Sequence, residues 1–120
     1  MEGRTQLRIN EFIHEHVARI MHRLLEIEPG HMVTVTRVET APDLSQAYVY
    51  VTVFPENVRG TVLKQIRRQA SEIREELDNV MRRKQTPKLL FRIDEGSEHV
   101  PRMQKLFEQL DEERDESTND

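Results

Sequence analysis

The sequence predicts an α+β domain with helices packed on one face of a three-stranded sheet. Stretches whose apolar residues recur every three or four positions alternate with short β-branched runs. Their order is helix, strand, strand, helix, helix, strand, helix, which builds two layers around one core. The chain of 120 residues is 36% hydrophobic, enough for one modest core and too little for a large buried pocket.

The first helix is predicted from Thr5 to Glu28. Ile9, Phe12, Ile13, Val17, Ile20, Met21, Leu24 and Ile27 make its apolar stripe, and Glu11, Glu15, Arg19, His22, Arg23 and Glu26 face away. Thr5 is the expected N-cap, and Pro29-Gly30 stops the helix because Pro cannot continue the hydrogen-bond ladder. Met32 to Thr40 is a strand, rich in Val and Thr. Ala41-Pro42-Asp43-Leu44-Ser45 has turn chemistry. In the second strand, Gln46 to Phe54, Ala47, Val49, Val51 and Val53 alternate with Tyr48, Tyr50, Thr52 and Phe54. Both of its sides are partly apolar, which places it centrally in the sheet.

After Pro55-Glu56-Asn57 a helical pattern runs through Val58, Val62, Ile66, Ala70, Ile73, Leu77, Val80 and Met81. One continuous helix of that length does not suit so small a domain, so a break is expected near Gln69-Ala70-Ser71, with Ser71 capping the second helix. Thr86-Pro87 ends it. Lys88 to Asp94 is the third strand, with Leu89, Phe91 and Ile93 on one side. A last short helix is expected from Ser97 or Glu98 to Leu110, carrying Val100, Met103, Leu106, Phe107 and Leu110. The domain thus spans residues 1–110, and residues 111–120 form an acidic, disordered tail.

The net charge of −4 hides two opposite regions. Glu108 to Asp120 holds seven acidic residues and one Arg, whereas Arg59 to Arg92 holds ten basic residues and four acidic ones. A local basic block is what a polyphosphate partner requires, although a solvated helix face has the same composition. With no Cys, disulfides and thiolate metal sites are excluded, and a reducing cytoplasm suits the chain. No signal-peptide core and no apolar run of about 18 residues is present, so a soluble protein is expected.

The element order is that of a type II KH domain, a reader of single-stranded nucleic acid. Three stretches make the resemblance specific. Val33 to Glu39 with Pro42-Asp43-Leu44-Ser45 and Ala47 to Val51 resembles the hairpin of the ribosome-binding factor A family. Ala70-Ser71-Glu72-Ile73-Arg74-Glu75-Glu76-Leu77 is similar to that family's inter-helix segment and the start of its next helix. Pro87-Lys88-Leu89-Leu90-Phe91-Arg92-Ile93-Asp94 looks like its third strand. The resemblance covers roughly Leu7 to Leu110. It implies binding to the free 30S subunit, contact with 16S rRNA, late subunit maturation including processing of the 16S rRNA 5′ end, and a link to growth in the cold. It implies no catalysis and no cofactor. Where ordinary KH domains use a Gly-x-x-Gly loop, this family has Ala-x-Gly. Here the triplet is Ala70, Ser71 and Glu72. Glu disfavours positive φ, so the bend is milder than the family's or lies at a neighbouring residue.

The candidate RNA-binding residues are Lys64, Arg67, Arg68, Arg74, Arg82, Arg83 and Lys84, around the inter-helix junction and the end of the following helix. The planar guanidinium offers phosphate two parallel hydrogen bonds. Arg82, Arg83 and Lys84 also suit a helix C-terminus through the dipole alone. Glu72, Glu75, Glu76 and Asp78 are placed to pair with Arg68 or Arg82 and weaken the site. Arg4, Arg8, Arg19 and Arg23 form a second patch, diluted by Glu11, Glu15 and Glu26. Tyr48 and Tyr50 either stack bases or pack on the sheet. His14, His16 and His22 do not share a helix face at ligand spacing, so a metal site is not expected; exposed histidines are.

No Gly-rich phosphate loop, Gly-x-Ser-x-Gly motif or Cys nucleophile supports catalysis. The expected partners are the 30S subunit and 16S rRNA, bound by a monomer, with no small-molecule substrate and no membrane. A general KH-like RNA-binding module and a protein-interaction adaptor are the competing readings.

Overall fold

The computed structural model describes residues 3–82 and 85–96. Arg4–Leu24 forms α1, Met32–Thr40 β1, Gln46–Phe54 β2, Arg59–Arg68 α2, Ala70–Met81 α3 and Lys88–Ile93 β3. A single turn, Glu56–Val58, leads into α2. The final helix and the acidic tail expected from the sequence lie outside the described residues.

The helix α1 starts one residue before the expected cap. Gly3 is its N-cap and Thr5 lies inside the helix. It also ends early. Leu25 turns extended and buries its side chain, so the helix stops at Leu24 rather than Glu28. The carbonyls freed at this end find tertiary donors. Gln65 Nε2 donates to the Glu26 carbonyl at 3.2 Å and Gln69 Nε2 reaches the Leu24 carbonyl at 3.5 Å.

The sheet order is β1-β2-β3, with β2 central as its two-sided apolar pattern predicts. β1 pairs antiparallel and β3 parallel to β2. A bulge between Val35 and Arg37 inserts Thr36, so that Val35 faces Val51 and Arg37 faces Tyr50. The extra residue reverses the alternation. Val33 and Val35 point to the helices before it, and Val38 and Thr40 after it. The slip in parity between Val35 and Val38 is the trace of this bulge in the sequence. In the hairpin turn, Asp43 accepts hydrogen bonds from the Ser45 hydroxyl at 2.6 Å and the Ser45 amide at 3.0 Å. These bonds, the hydroxyl first, hold the Asp43 carboxyl below its ordinary range.

All three helices lie on one face of the sheet. Ile13, Val17, Ile66, Ile73 and Leu77 meet Ala47, Val49, Val51, Leu89 and Phe91 in the core. One buried polar contact ties α1 to the end of β1: Asn10 Oδ1 accepts from the Thr40 amide at 3.0 Å and the Thr40 hydroxyl at 2.7 Å. A buried amide left without an acceptor is costly, so this bond also sets the register of α1 on the sheet.

Candidate nucleic-acid interface

The helices α2 and α3 meet at one residue. Gln69 has φ −100° and ψ 9°, and Ala70 already starts α3. The break therefore falls at the first residue of the expected window, and it needs no positive φ. Ser71 is not the cap but sits in the first turn of α3 with Glu72, where an acid suits the positive end of the helix dipole.

On α2, Val62 and Ile66 enter the core, while Lys64 and Arg68 stand one turn apart on the exposed side. Arg67 turns the other way. Its Nη2 donates to the Phe91 carbonyl at 3.1 Å, latching α2 to β3. On α3, Arg74 Nη2 donates to the Thr86 carbonyl at 2.7 Å, and the Thr86 hydroxyl bonds Asp78. Both bonds fasten the segment after α3 to that helix. Ser71, Arg74, Glu75, Asp78, Gln85 and Thr86 line a shallow polar cleft of about 400 Å³ beside the junction. Arg82 is exposed and ends α3 in the left-handed region, with φ 48° and ψ 29°. Arg83 and Lys84 lie outside the described residues.

The acids of α3 do not pair as their spacing predicts. Glu76 bonds Arg23 of α1 at 2.9 Å, and Asp78 is taken by Thr86. Among the described residues, no ion pair engages Lys64, Arg68, Arg74 or Arg82. The second patch differs. Arg19 is bonded to Glu15 at 2.8 Å and Arg23 to Glu76, which leaves Arg4 and Arg8 as its exposed cations without an ion pair among the described residues. Lys64, Arg68, Arg74 and Arg82 are thus exposed on α2, on α3 and at its end without an ion pair among the described residues, while the α1 patch is partly neutralised.

Sequence reasoning missed the polar population of the sheet's outer face. The pairing register puts Glu39, Tyr48 and Leu90 in one rank across it, and Arg37, Tyr50 and Arg92 in the next. The Arg37 guanidinium stacks on the Tyr50 ring, 4.1 Å from its centroid, and Arg92 lies 5.8 Å from that of Tyr48. Tyr50 is wholly buried, so its ring is not presented for base stacking. Only the alternation of Tyr48 and Tyr50 with the valines signals this face in the sequence. His14 is not an exposed histidine either: its Nε2 bonds the Val35 carbonyl at 2.8 Å, pinning α1 to β1.

Three helices on one face of a β1-β2-β3 sheet, in the order α-β-β-α-α-β, define a type II KH-like domain. Solved structures share the fold. The crystal structure of ribosome-binding factor A from Thermus thermophilus superposes with a TM-score of 0.65 at 22% identity, over 73% of this chain and 93% of that one. The solution structure of a putative ribosome-binding factor A from Thermotoga maritima gives 0.66 at 23% identity, over 85% and 98%. A homology model of the Thermus thermophilus factor, as fitted into the cryo-EM map of a 30S–RbfA complex, gives 0.63 at 22% identity, over 80% and 98%. In sequence, the profile of the ribosome-binding factor A family matches residues 5–107. The ribosome-binding factor A of Thermomicrobium roseum is 32% identical over 95% of this chain and 89% of its own length. That of Rhodopseudomonas palustris is 32% identical over 88% and 79%. The chain belongs to the ribosome-binding factor A family.

Proposed function

We propose that this protein binds the free 30S subunit through its 16S rRNA as an assembly factor and supports late maturation, including processing of the 16S rRNA 5′ end. It acts as a monomer in the cytoplasm, by binding rather than by catalysis, and contributes to growth in the cold. The observation that carries the reading is the cationic edge of α2 and α3. Lys64, Arg68 and Arg82 are exposed there without an ion pair among the described residues, and Arg74, also without one, is held by the Thr86 carbonyl. Cations without a protein counter-charge displace the ions condensed on a phosphate backbone, which is the main source of affinity for nucleic acid. Family membership supports the subunit as target, as does the complex with 30S named for the Thermus thermophilus relative.

Co-sedimentation with separated 30S, 50S and 70S particles tests this. Selective pelleting with free 30S is expected, and Lys64→Glu with Arg68→Glu is expected to abolish it while the far-ultraviolet circular dichroism stays unchanged. Equal pelleting with all particles would replace this reading with general RNA binding.

A further inference from the structure

The outer face of the sheet has no described element on it, yet half of it is shielded from solvent. Tyr50 is 0% exposed, and Glu39 and Arg92 are each 5% exposed. Tyr50 is nonetheless outside the core cluster formed by the helices and the inner face. The shielding is local. At the other end of the same face, the Thr34–Thr52 rank is exposed, and so is the rank of Met32 and Phe54. The sheet itself therefore does not bury these side chains, and the Arg37 guanidinium covers only one side of the Tyr50 ring.

The chain leaves β3 beside this shielded region. The Asp94 amide donates to the Val51 carbonyl at 2.7 Å, and its carboxylate accepts from the Thr36 hydroxyl at 2.6 Å. The Gly96 amide then bonds back to Asp94, and Gly96 has φ +74°, a conformation suited to a turn. The sequence that follows is amphipathic. Val100, Met103, Phe107 and Leu110 form one stripe at helical spacing, and Arg102, Lys105 and Gln109 lie opposite. Thirteen helical residues reach about 20 Å, more than enough to cross three strands. Charge fits as well. Arg37 and Arg92 stand on the shielded ranks against a single acid there, Glu39, and Glu108 to Asp120 holds seven acidic residues.

We propose that residues 98–110 dock on the outer face of the sheet, with Val100, Met103, Phe107 and Leu110 over Tyr48, Tyr50 and Arg92, and that the acidic residues beyond them face Arg37 and Arg92. This closes one end of the sheet's second face within the same chain. It does not depend on the RNA-binding reading.

Tyr48 and Tyr50 are the only tyrosines, and there is no Trp, so intrinsic fluorescence reports on this face directly. In the full-length protein, acrylamide should quench it weakly. Phe107→Glu should remove the protection while the cooperative urea transition persists. Gln109→Glu, which adds the same charge on the opposite side of the segment, should leave it intact. Because the chain has no Cys, a nitroxide on Gln109→Cys gives a second measurement on an otherwise native protein. It should broaden the amide signals of Tyr48, Tyr50 and Arg92 more than those of Phe12 and His16 on α1. Unchanged quenching in Phe107→Glu would overturn the proposal, as would preferential broadening on α1. Protection that disappears on dilution would overturn it too, assigning the face to a second copy of the chain.

Discussion

Arg82 occupies a position that glycine usually fills. An L-residue with a Cβ is strained in the left-handed conformation, and Arg82 holds it at the end of α3 with φ 48°. Arg82→Gly should therefore raise stability to urea by up to about 1 kcal/mol. The same change removes a cation from the proposed RNA edge, so affinity for the 30S subunit should fall as stability rises. A capping role alone would leave affinity unchanged. Other single-residue roles were legible in part. The turn residues Asp43 and Ser45 announce themselves by type, and their bonds are local. Asn10 and His14 do not, because their partners Thr40 and Val35 are distant in sequence.

Among the elements, the α2–α3 junction matters most to the family comparison. The family's Gly provides for a sharp bend, but here the bend is made at Gln69 with negative φ, and Glu72 is an ordinary helical residue. Glu72→Gly should thus lose about 1 kcal/mol of stability, the usual cost of Gly in a helix, and should not sharpen the bend. A gain in stability on urea denaturation would show that the junction is strained instead. The strands were legible because alternation and β-branching are local signals, and the bounds of β1 and β2 match the expected ones. The end of α1 was not. The helical pattern continues through Ile27, but Leu25 is extended and buried, and the carbonyls of Glu26 and Leu24 are met by Gln65 of α2 and by Gln69 at the junction.

For the whole molecule, the proposed contact with RNA turns on the distribution of charge. The overall balance is acidic, so the proposed affinity would rest on local cations of α2 and α3 rather than on the net charge. Affinity for the 30S subunit should fall steeply as salt rises. Replacing Lys64 and Arg68 by Ala should flatten the logarithmic salt slope by about one for each phosphate no longer neutralised. An unchanged slope would mean that these two side chains do not touch phosphate.

Composition and periodicity were sufficient for the architecture: one α+β domain with a two-sided central strand, a hairpin and a broken helix. Those features follow from which residues neighbour each other along the chain. Tertiary packing settled the matters that depend on residues far apart. It turned Arg67 inward to Phe91, gave Arg23 of α1 a partner in Glu76 of α3, and tied Asp78, which is spaced to pair with Arg82, to Thr86. It also set Arg37, Tyr50 and Arg92 side by side across three strands. Helical spacing shows which side chains share a face. It does not show which distant carbonyl or carboxylate a folded chain will bring within hydrogen-bonding reach, and that is what distinguishes a structural arginine from one open to a phosphate.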